Sequence, residues 1–102
     1  MYEYIFQVAC GLNHTLALSV DGNTVWAFGD GDYGKLGLES TTAKPSPQPI
    51  ETFASIGVKK VCCGTQFSVV LTRDGRLFTF GQGKLFQVSM RYIQVLKLKL
   101  AC

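Results

Sequence analysis

Short hydrophobic runs alternate with turn residues along most of the chain. Val25–Phe28 combines β-branched and aromatic residues, which favour a half-buried strand. His14–Val20 alternates Leu16 and Leu18 with polar or small residues, which predicts a strand with one face turned inward. Three further strands are predicted in the second half of the chain, at Val58–Cys63, Phe67–Thr72 and Leu77–Phe80. The pattern therefore predicts an all-β protein.

The segment Trp26–Leu38 organises the first half of the chain. Its initial strand runs into four glycines, Gly29, Gly31, Gly34 and Gly37. Because glycine adopts positive φ without steric cost, this segment predicts a sharp corner. The corner ends at Leu36 and Leu38, which we expect to tuck back under the sheet.

The corner belongs to a unit that occurs twice. Val8–Gly11 (VACG) matches Val61–Gly64 (VCCG) at an offset of 53 residues, and Ala27–Gly29 matches Thr79–Gly81 at an offset of 52. In each unit an Asp-Gly pair, Asp21-Gly22 or Asp74-Gly75, separates two strand-like runs, which indicates a β-hairpin. We assign residues 1–57 to a first repeat with a proline-rich connecting loop, 58–83 to a second, truncated repeat, and 84–102 to a divergent tail.

The connecting loop and the tail differ in composition from the repeats. Pro45, Pro47 and Pro49 deny ladder hydrogen bonds, so an exposed connection is predicted there. Residues 1–74 contain five basic and seven acidic residues, whereas residues 75–102 contain five basic residues and no acidic one. The tail also alternates apolar residues from Phe86 to Leu100, as a strand would. This shift favours a foreign end, produced by alternative splicing or a truncated reading frame.

The repeated pattern resembles that of the regulator of chromosome condensation family. The residues that carry the resemblance are V-x-C-G, H-x-L-A-L, D-G and VWAFGDGDYGKLG, within residues 5–83. The segments Gly29–Gly37 and Cys63–Val69 resemble more narrowly the propeller of the giant HECT-class ubiquitin ligases. Many members have a glycine after L-G-L, where this chain has Glu39.

The resemblance implies a β-propeller of antiparallel four-stranded blades, in which each repeat supplies one blade and seven blades usually close the ring. Two repeats are too few to close a ring, so the chain is expected to be a fragment of about two blades. The implied function is a non-catalytic protein-binding scaffold within a large HECT-type ubiquitin ligase whose catalytic domain lies elsewhere. The alternative is a guanine nucleotide exchange module acting on a small GTPase.

The expected partners are proteins, among them small GTPases or trafficking proteins such as clathrin, together with the remaining blades of the ring. Through the parent protein, the resemblance also implies contact with phosphoinositide-bearing internal membranes. No run of eighteen apolar residues or signal peptide is present, which favours a cytoplasmic protein without a transmembrane segment. The net charge of +3 lies mostly in the tail, so direct nucleic-acid binding is not expected.

Most candidate residues have a structural explanation. Asp30, Asp32 and Tyr33, at the corner, are the candidates for contact with a partner. The remaining candidates are structural residues of the repeats: Gly11, Gly22, Trp26, Gly29, Gly31, Gly34, Gly37, Gly64, Gly75 and Gly81.

No catalytic, cofactor or metal site is predicted. His14 aligns with Phe67, so it is interpreted as a packing residue, and Trp26 is expected to pack between blades. Cys10 and Cys63 are equivalent and are interpreted as small buried side chains without zinc-site spacing. The corner lacks both the spacing of a phosphate-binding loop and the ligand series of a calcium loop.

Overall fold

The computed structural model describes residues 4–82 and 87–94, and it confirms an all-β architecture. Two four-stranded antiparallel sheets follow each other along the chain, each in the order of its strands. The first sheet contains β1 (Ile5–Cys10), β2 (His14–Ser19), β3 (Val25–Gly29) and β4 (Lys44–Pro49). The second contains β5 (Val58–Cys63), β6 (Phe67–Thr72), β7 (Arg76–Gln82) and β8 (Gln87–Gln94). Short 3-10 turns lie at Asp32–Gly34 and Glu51–Phe53.

Both predicted Asp-Gly hairpins are present. β2 pairs with β3, and β6 pairs with β7. In the first turn the Ser19 hydroxyl donates to the Asp21 carboxylate at 2.6 Å. Gly22 and Gly75 have φ values of 73° and 88°, a conformation that a side chain would strain. The sequence signal for these turns is local, and so are the contacts that form them.

The proline-rich segment is a strand, so its interpretation as a connection is wrong for residues 44–49. β4 pairs with β3 at the outer edge of the first sheet. An edge strand bonds its neighbour only through alternate residues, and the three prolines occupy every second position. Proline is therefore tolerated here, as it is on sheet edges generally.

Part of the divergent tail completes the second sheet. β8, at Gln87–Gln94, pairs antiparallel with β7. The rest of the predicted alternating segment, including Phe86 and Leu96–Leu100, lies outside the described residues. The second repeat thus has a fourth strand, although its sequence lacks the second glycine corner expected after Gly83.

The hydrophobic core lies between the two sheets. Phe53, which follows β4, inserts its ring against Phe78 in an edge-on arrangement with centroids 5.2 Å apart, and against Phe80 at 6.4 Å. The core is formed by Leu16, Leu18, Val25, Ala27, Leu36, Ile50, Phe53, Val58, Val61, Val70, Phe78 and Phe80. Since both sheets contribute to one core, neither sheet buries this face alone.

Hydrogen bonds fix the position of one sheet on the other. The Val58 amide donates to the Gly22 carbonyl at 2.7 Å, and the Leu12 amide donates to the Thr65 carbonyl at 3.1 Å. Between these two points the Val61 amide donates to the side-chain oxygen of Gln7 at 3.0 Å. We call this junction between the sheets the seam.

Candidate functional site

The glycine corner after β3 needs its glycines for two different reasons. Gly29, Gly34 and Gly37 have φ values of 110°, 75° and 71°, which confirms the predicted sharp turn. Gly31 has an ordinary φ of −107°, but a Cβ there would lie 2.4 Å from the Thr42 carbonyl oxygen. The corner thus combines residues of positive φ with a close approach of the backbone at Gly31 to the backbone at Thr42.

Two residues other than glycine also take the left-handed conformation. Tyr33 has a φ of 67° and Glu39 a φ of 57°. Side chains pay a steric penalty of roughly 1–2 kcal/mol in this region. Many members of the family that this chain resembles have glycine at the position of Glu39. The corner keeps its left-handed backbone here despite the side chain.

The corner docks on the second sheet. Leu36 is fully buried and Leu38 packs against the core. A Cβ on Gly37 would lie 2.9 Å from the ring of Phe80, a residue of β7. The predicted tucking of the two leucines is confirmed, and the surface that receives the corner belongs partly to the neighbouring sheet.

Lys35 is a fully buried cation at the centre of the corner. Its ammonium group pairs with the Asp30 carboxylate and donates to the Asp32 carbonyl at 3.1 Å. It also lies 5.7 Å from the centroid of the Tyr33 ring. The hydrogen bond from Lys35 lowers the pKa of Asp30 below its ordinary value, so this carboxylate is charged at neutral pH.

A hydrogen-bond chain continues from Lys35 across the seam. The Ser68 hydroxyl donates to the Lys35 carbonyl at 2.6 Å, and the Nε2 atom of His14 lies 2.9 Å from the Ser68 oxygen. Since Ser68 donates to Lys35, His14 serves as the donor to Ser68. Burial, and then the charge of Lys35, lowers the pKa of His14, so its ring is neutral at neutral pH.

His14 also packs as predicted. Its ring lies on Gly11, where a Cβ would come within 2.2 Å of the ring. Phe67 covers Gly64 in the same way, at 2.1 Å. Gly81 on β7 differs, because its φ is 115° and a Cβ there would lie 2.6 Å from the Gln66 carbonyl oxygen and 2.9 Å from the Cβ of Lys35. These glycines are required by close packing.

The three candidate partner-contact residues differ in their surroundings. The Asp30 carboxylate pairs with Lys35, and the Tyr33 ring is half-buried. Asp32 is exposed, with its carbonyl bound by Lys35. Of the three, Asp32 presents the most accessible carboxylate, while Asp30 stabilises the corner.

Two of the sequence predictions, for Cys10 and Trp26, concern the outer face of the first sheet. Cys10 is exposed, so the prediction of a buried thiol is wrong for that residue, whereas Cys63 is half-buried and burial raises its pKa to about 11. Trp26 is half-buried and alternates with core residues Val25 and Ala27, so it faces away from the seam, and its packing between blades stays a prediction about a preceding blade. Cys10 and Trp26 belong to the face of the first sheet that the described residues leave uncovered.

Sequence reasoning missed Lys35 and Ser68. Lysine in a glycine-rich loop suggests phosphate binding or solvent exposure, and a lone serine in a strand suggests little. Only the position of the second sheet shows that these residues meet. The signal available beforehand was Asp30 five residues before Lys35 in a loop too tight to separate them.

The chemistry of this site is structural. Within residues 4–82 no three His, Cys, Asp or Glu side chains are grouped to hold a metal ion. The helical segments that the structure describes are single 3-10 turns, and none is long and apolar enough to cross a membrane. The charged and polar groups that do converge connect the two sheets.

Stacked four-stranded antiparallel sheets, joined by a corner that docks on the next sheet, define blades of a β-propeller. Two models of the regulator of chromosome condensation (RCC1) repeat match the chain, one at residues 22–71 and the other at residues 7–35 and 58–87. The chain belongs to the RCC1 repeat family.

Named relatives and solved structures agree with this assignment. The chain is 46% identical to the E3 ubiquitin-protein ligase HERC2 of Mus musculus over 81 residues, which cover 78% of the chain and 2% of HERC2. The crystal structure of human WBSCR16 matches with a TM-score of 0.79 at 27% identity, over 94% of this chain and 27% of that one. Prp20p of Saccharomyces cerevisiae, whose structure was described with its binding to Gsp1p and histones, matches with a TM-score of 0.68 at 24% identity, over 78% and 20%. The chain therefore corresponds to a small part of a propeller.

Proposed function

We propose that this chain is a non-catalytic protein-binding module, part of the propeller of a large HECT-type ubiquitin ligase in the cytoplasm. The observation that carries the proposal is that the buried polar groups at the seam are bonded to one another. His14, Ser68 and Lys35 are buried and bonded to one another, which suits a scaffold better than a reaction centre. The 46% identity to HERC2 supports the kind of parent protein.

A nucleotide exchange module is the competing hypothesis. Catalysed exchange on a GTPase would use a loop inserted as a wedge, without side-chain chemistry. In the described part of the chain the longest link between paired strands is the corner between β3 and β4, and it is committed to the seam through Leu36 and Lys35. This arrangement favours the scaffold.

The test is peptide mapping of the endogenous protein. An antibody against the segment 29–37 would isolate the polypeptide under denaturing conditions, and mass spectrometry would identify its peptides. We expect peptides from further repeats and from a HECT catalytic domain in one large polypeptide. A polypeptide of 11.2 kDa, the mass of this chain, would contradict the proposed parent.

A second measurement separates scaffold from exchange factor. Release of a fluorescent guanine nucleotide from small GTPases would be followed with and without the isolated parent polypeptide. The scaffold hypothesis expects the same release rate in both. An acceleration that depends on the parent concentration would favour the exchange module.

A further inference from the structure

A second feature of the seam lies at the rim opposite the glycine corner. The two sheets leave a cleft of about 330 Å³ there, near the turn between β2 and β3. Its volume lies at the lower end of the range of about 300–1,000 Å³ for ligand pockets, so it suits one or two side chains. Among the residues that line it are Phe6, Val20, Gly22, Val58, Lys59 and Arg73.

The floor of this cleft is built by contacts between the sheets. The Val58 amide bonds the Gly22 carbonyl at 2.7 Å, and the Arg73 guanidinium donates to the Asp21 carbonyl. A Cβ on Gly22 would lie 2.7 Å from the Val58 carbonyl oxygen and 2.1 Å from a guanidinium nitrogen of Arg73. Glycine is therefore required at position 22 for the two sheets to approach each other and form this cleft.

The walls of the cleft are apolar and accessible. Phe6 is 66% exposed and Val20 is 61% exposed. Phe6 lies on β1 of the first sheet and Val20 directly follows β2, and Val58 and Lys59 line the cleft from the second sheet. Accessible apolar side chains beside a concave surface are typical of a binding site.

The rim of the cleft is positively charged. Lys59 and Arg73 are both exposed, and within residues 4–82 neither forms an ion pair. Asp21, whose carbonyl binds Arg73, accepts hydrogen bonds at its carboxylate from the Ser19 hydroxyl at 2.6 Å and the Asn23 amide at 2.9 Å, and these bonds keep its pKa low. Its carboxylate is thus held in its own turn, although the charge of Arg73 also acts on it. Arg73 uses one N–H for the Asp21 carbonyl, so the Lys59 ammonium and the remaining N–H groups of Arg73 are the donors for an incoming anion.

We propose that this cleft binds a linear protein segment that inserts one large apolar side chain between Phe6 and Val20 and places a carboxylate against Lys59 and Arg73. The proposal rests on the proposed function, because it names the class of ligand that the scaffold recognises. A nucleic acid fits less well, since two cations beside Asp21 do not form the row of basic groups that a phosphate backbone requires.

The test is a titration of the ¹⁵N-labelled full chain with a capped hexapeptide that contains one phenylalanine followed by three acidic residues. We expect saturable shifts of the amide signals of Phe6, Val20, Val58 and Lys59. Two control peptides carry alanine in place of phenylalanine or amides in place of the acids, and both should bind more weakly.

Matched variants place the binding in the cleft. Lys59→Gln should weaken the affinity for the acidic peptide about two- to fivefold, the effect of one surface ion pair. Phe6→Ser should remove most of the dependence on phenylalanine. Lys44→Gln makes the same charge change on β4, away from the cleft, and should leave the affinity unchanged.

Several outcomes would overturn the proposal. These are the absence of saturable binding, equal binding of all three peptides, equal effects of Lys59→Gln and Lys44→Gln, or tighter binding of a single-stranded oligonucleotide than of the acidic peptide. If peptide mapping finds the ligase and the cleft variants have no effect, the proposal about the cleft fails and the proposed function stands. If the peptide binds as expected but the parent is not a ligase, the proposed parent protein is wrong and the proposal about the cleft stands.

Discussion

The two sheets place equivalent aromatic rings in opposite environments. His14 is 2% exposed and Phe67 is 42% exposed, although both rings cover a glycine at the end of the preceding strand. His14 faces the seam, where Ser68 of the second sheet bonds it. Phe67 alternates with Ser68 and therefore lies on the far face of its sheet. The burial of this position thus depends on the neighbouring sheet more than on its own strand.

On the opposite face of each sheet the relationship is reversed, because there the residue of the second sheet is the more buried one. Phe80 is fully buried in the seam, whereas its equivalent Phe28 is half-buried on the outer face of the first sheet. Phe78, the equivalent of Trp26, likewise packs in the seam. The seam therefore joins one face of the first sheet to the opposite face of the second, as between successive blades of a propeller.

Truncating the two equivalent phenylalanines should give the largest difference. Phe80→Ala should lower the free energy of unfolding by about 3–5 kcal/mol, because it leaves a cavity in the core. Phe28→Ala should cost only about 1–2 kcal/mol, since less apolar area is lost from burial. Urea unfolding of the full chain measures both. Equal costs would show that the seam is not the main core.

Removing the buried cation should have a smaller effect. Lys35→Met keeps the length of the side chain but leaves Asp30 and the Asp32 carbonyl without their donor. We expect a loss of about 1–2 kcal/mol in the free energy of unfolding, limited because Asp30 remains partly hydrated.

A double-mutant cycle checks the origin of that loss. If the ion pair is responsible, Asp30→Asn should cost much less in the Lys35→Met background than in the unmodified chain. Additive losses in urea unfolding would show that the two residues act separately.

The left-handed residues of the corner should respond in opposite directions. Glu39→Gly should raise the free energy of unfolding by about 1 kcal/mol, because glycine relieves the strain at a φ of 57°. Gly37→Ala should lower it, because the added Cβ would strain the backbone and meet the Phe80 ring. Thermal melting followed by circular dichroism compares the two variants. Destabilisation by Glu39→Gly would mean that the glutamate side chain outweighs the strain.

The smallest expected effect is a pH dependence of the free energy of unfolding that arises from His14 in the seam. The pKa of His14 in the folded chain is lowered from its ordinary 6.5, so below that pH the unfolded chain binds a proton that the folded chain does not. Stability should therefore fall as the pH drops below about 6.5. Lys35 and Asp30 are the charged groups that act on this ring.

His14→Phe, which copies the ring found at Phe67, is the control for this titration. Its stability at each pH, subtracted from that of the unmodified chain, isolates the contribution of His14 from those of the carboxylates. A difference that stays constant between pH 7 and pH 5 would contradict a lowered pKa at this residue.

The sequence by itself determined the local elements. The strand periodicity, the Asp-Gly hairpins at Gly22 and Gly75 and the sharp corner at Gly29–Gly37 depend on backbone preferences of neighbouring residues, so they could be predicted. The repeat offset showed that one unit occurs twice, and the resemblance to the RCC1 family implied that each unit is a blade. A sheet with one apolar face then requires a neighbour.

Only the tertiary structure decided which residues those neighbours bury. Lys35 meets Ser68 across 33 residues, His14 meets Ser68 across 54, and the cleft joins Phe6 to Arg73. The proline-rich strand β4 was missed for a related reason, because proline is tolerated only when the chain runs along a sheet edge. These features depend on how one sheet lies on another or where a strand lies in its sheet, and local preference carries no information about either.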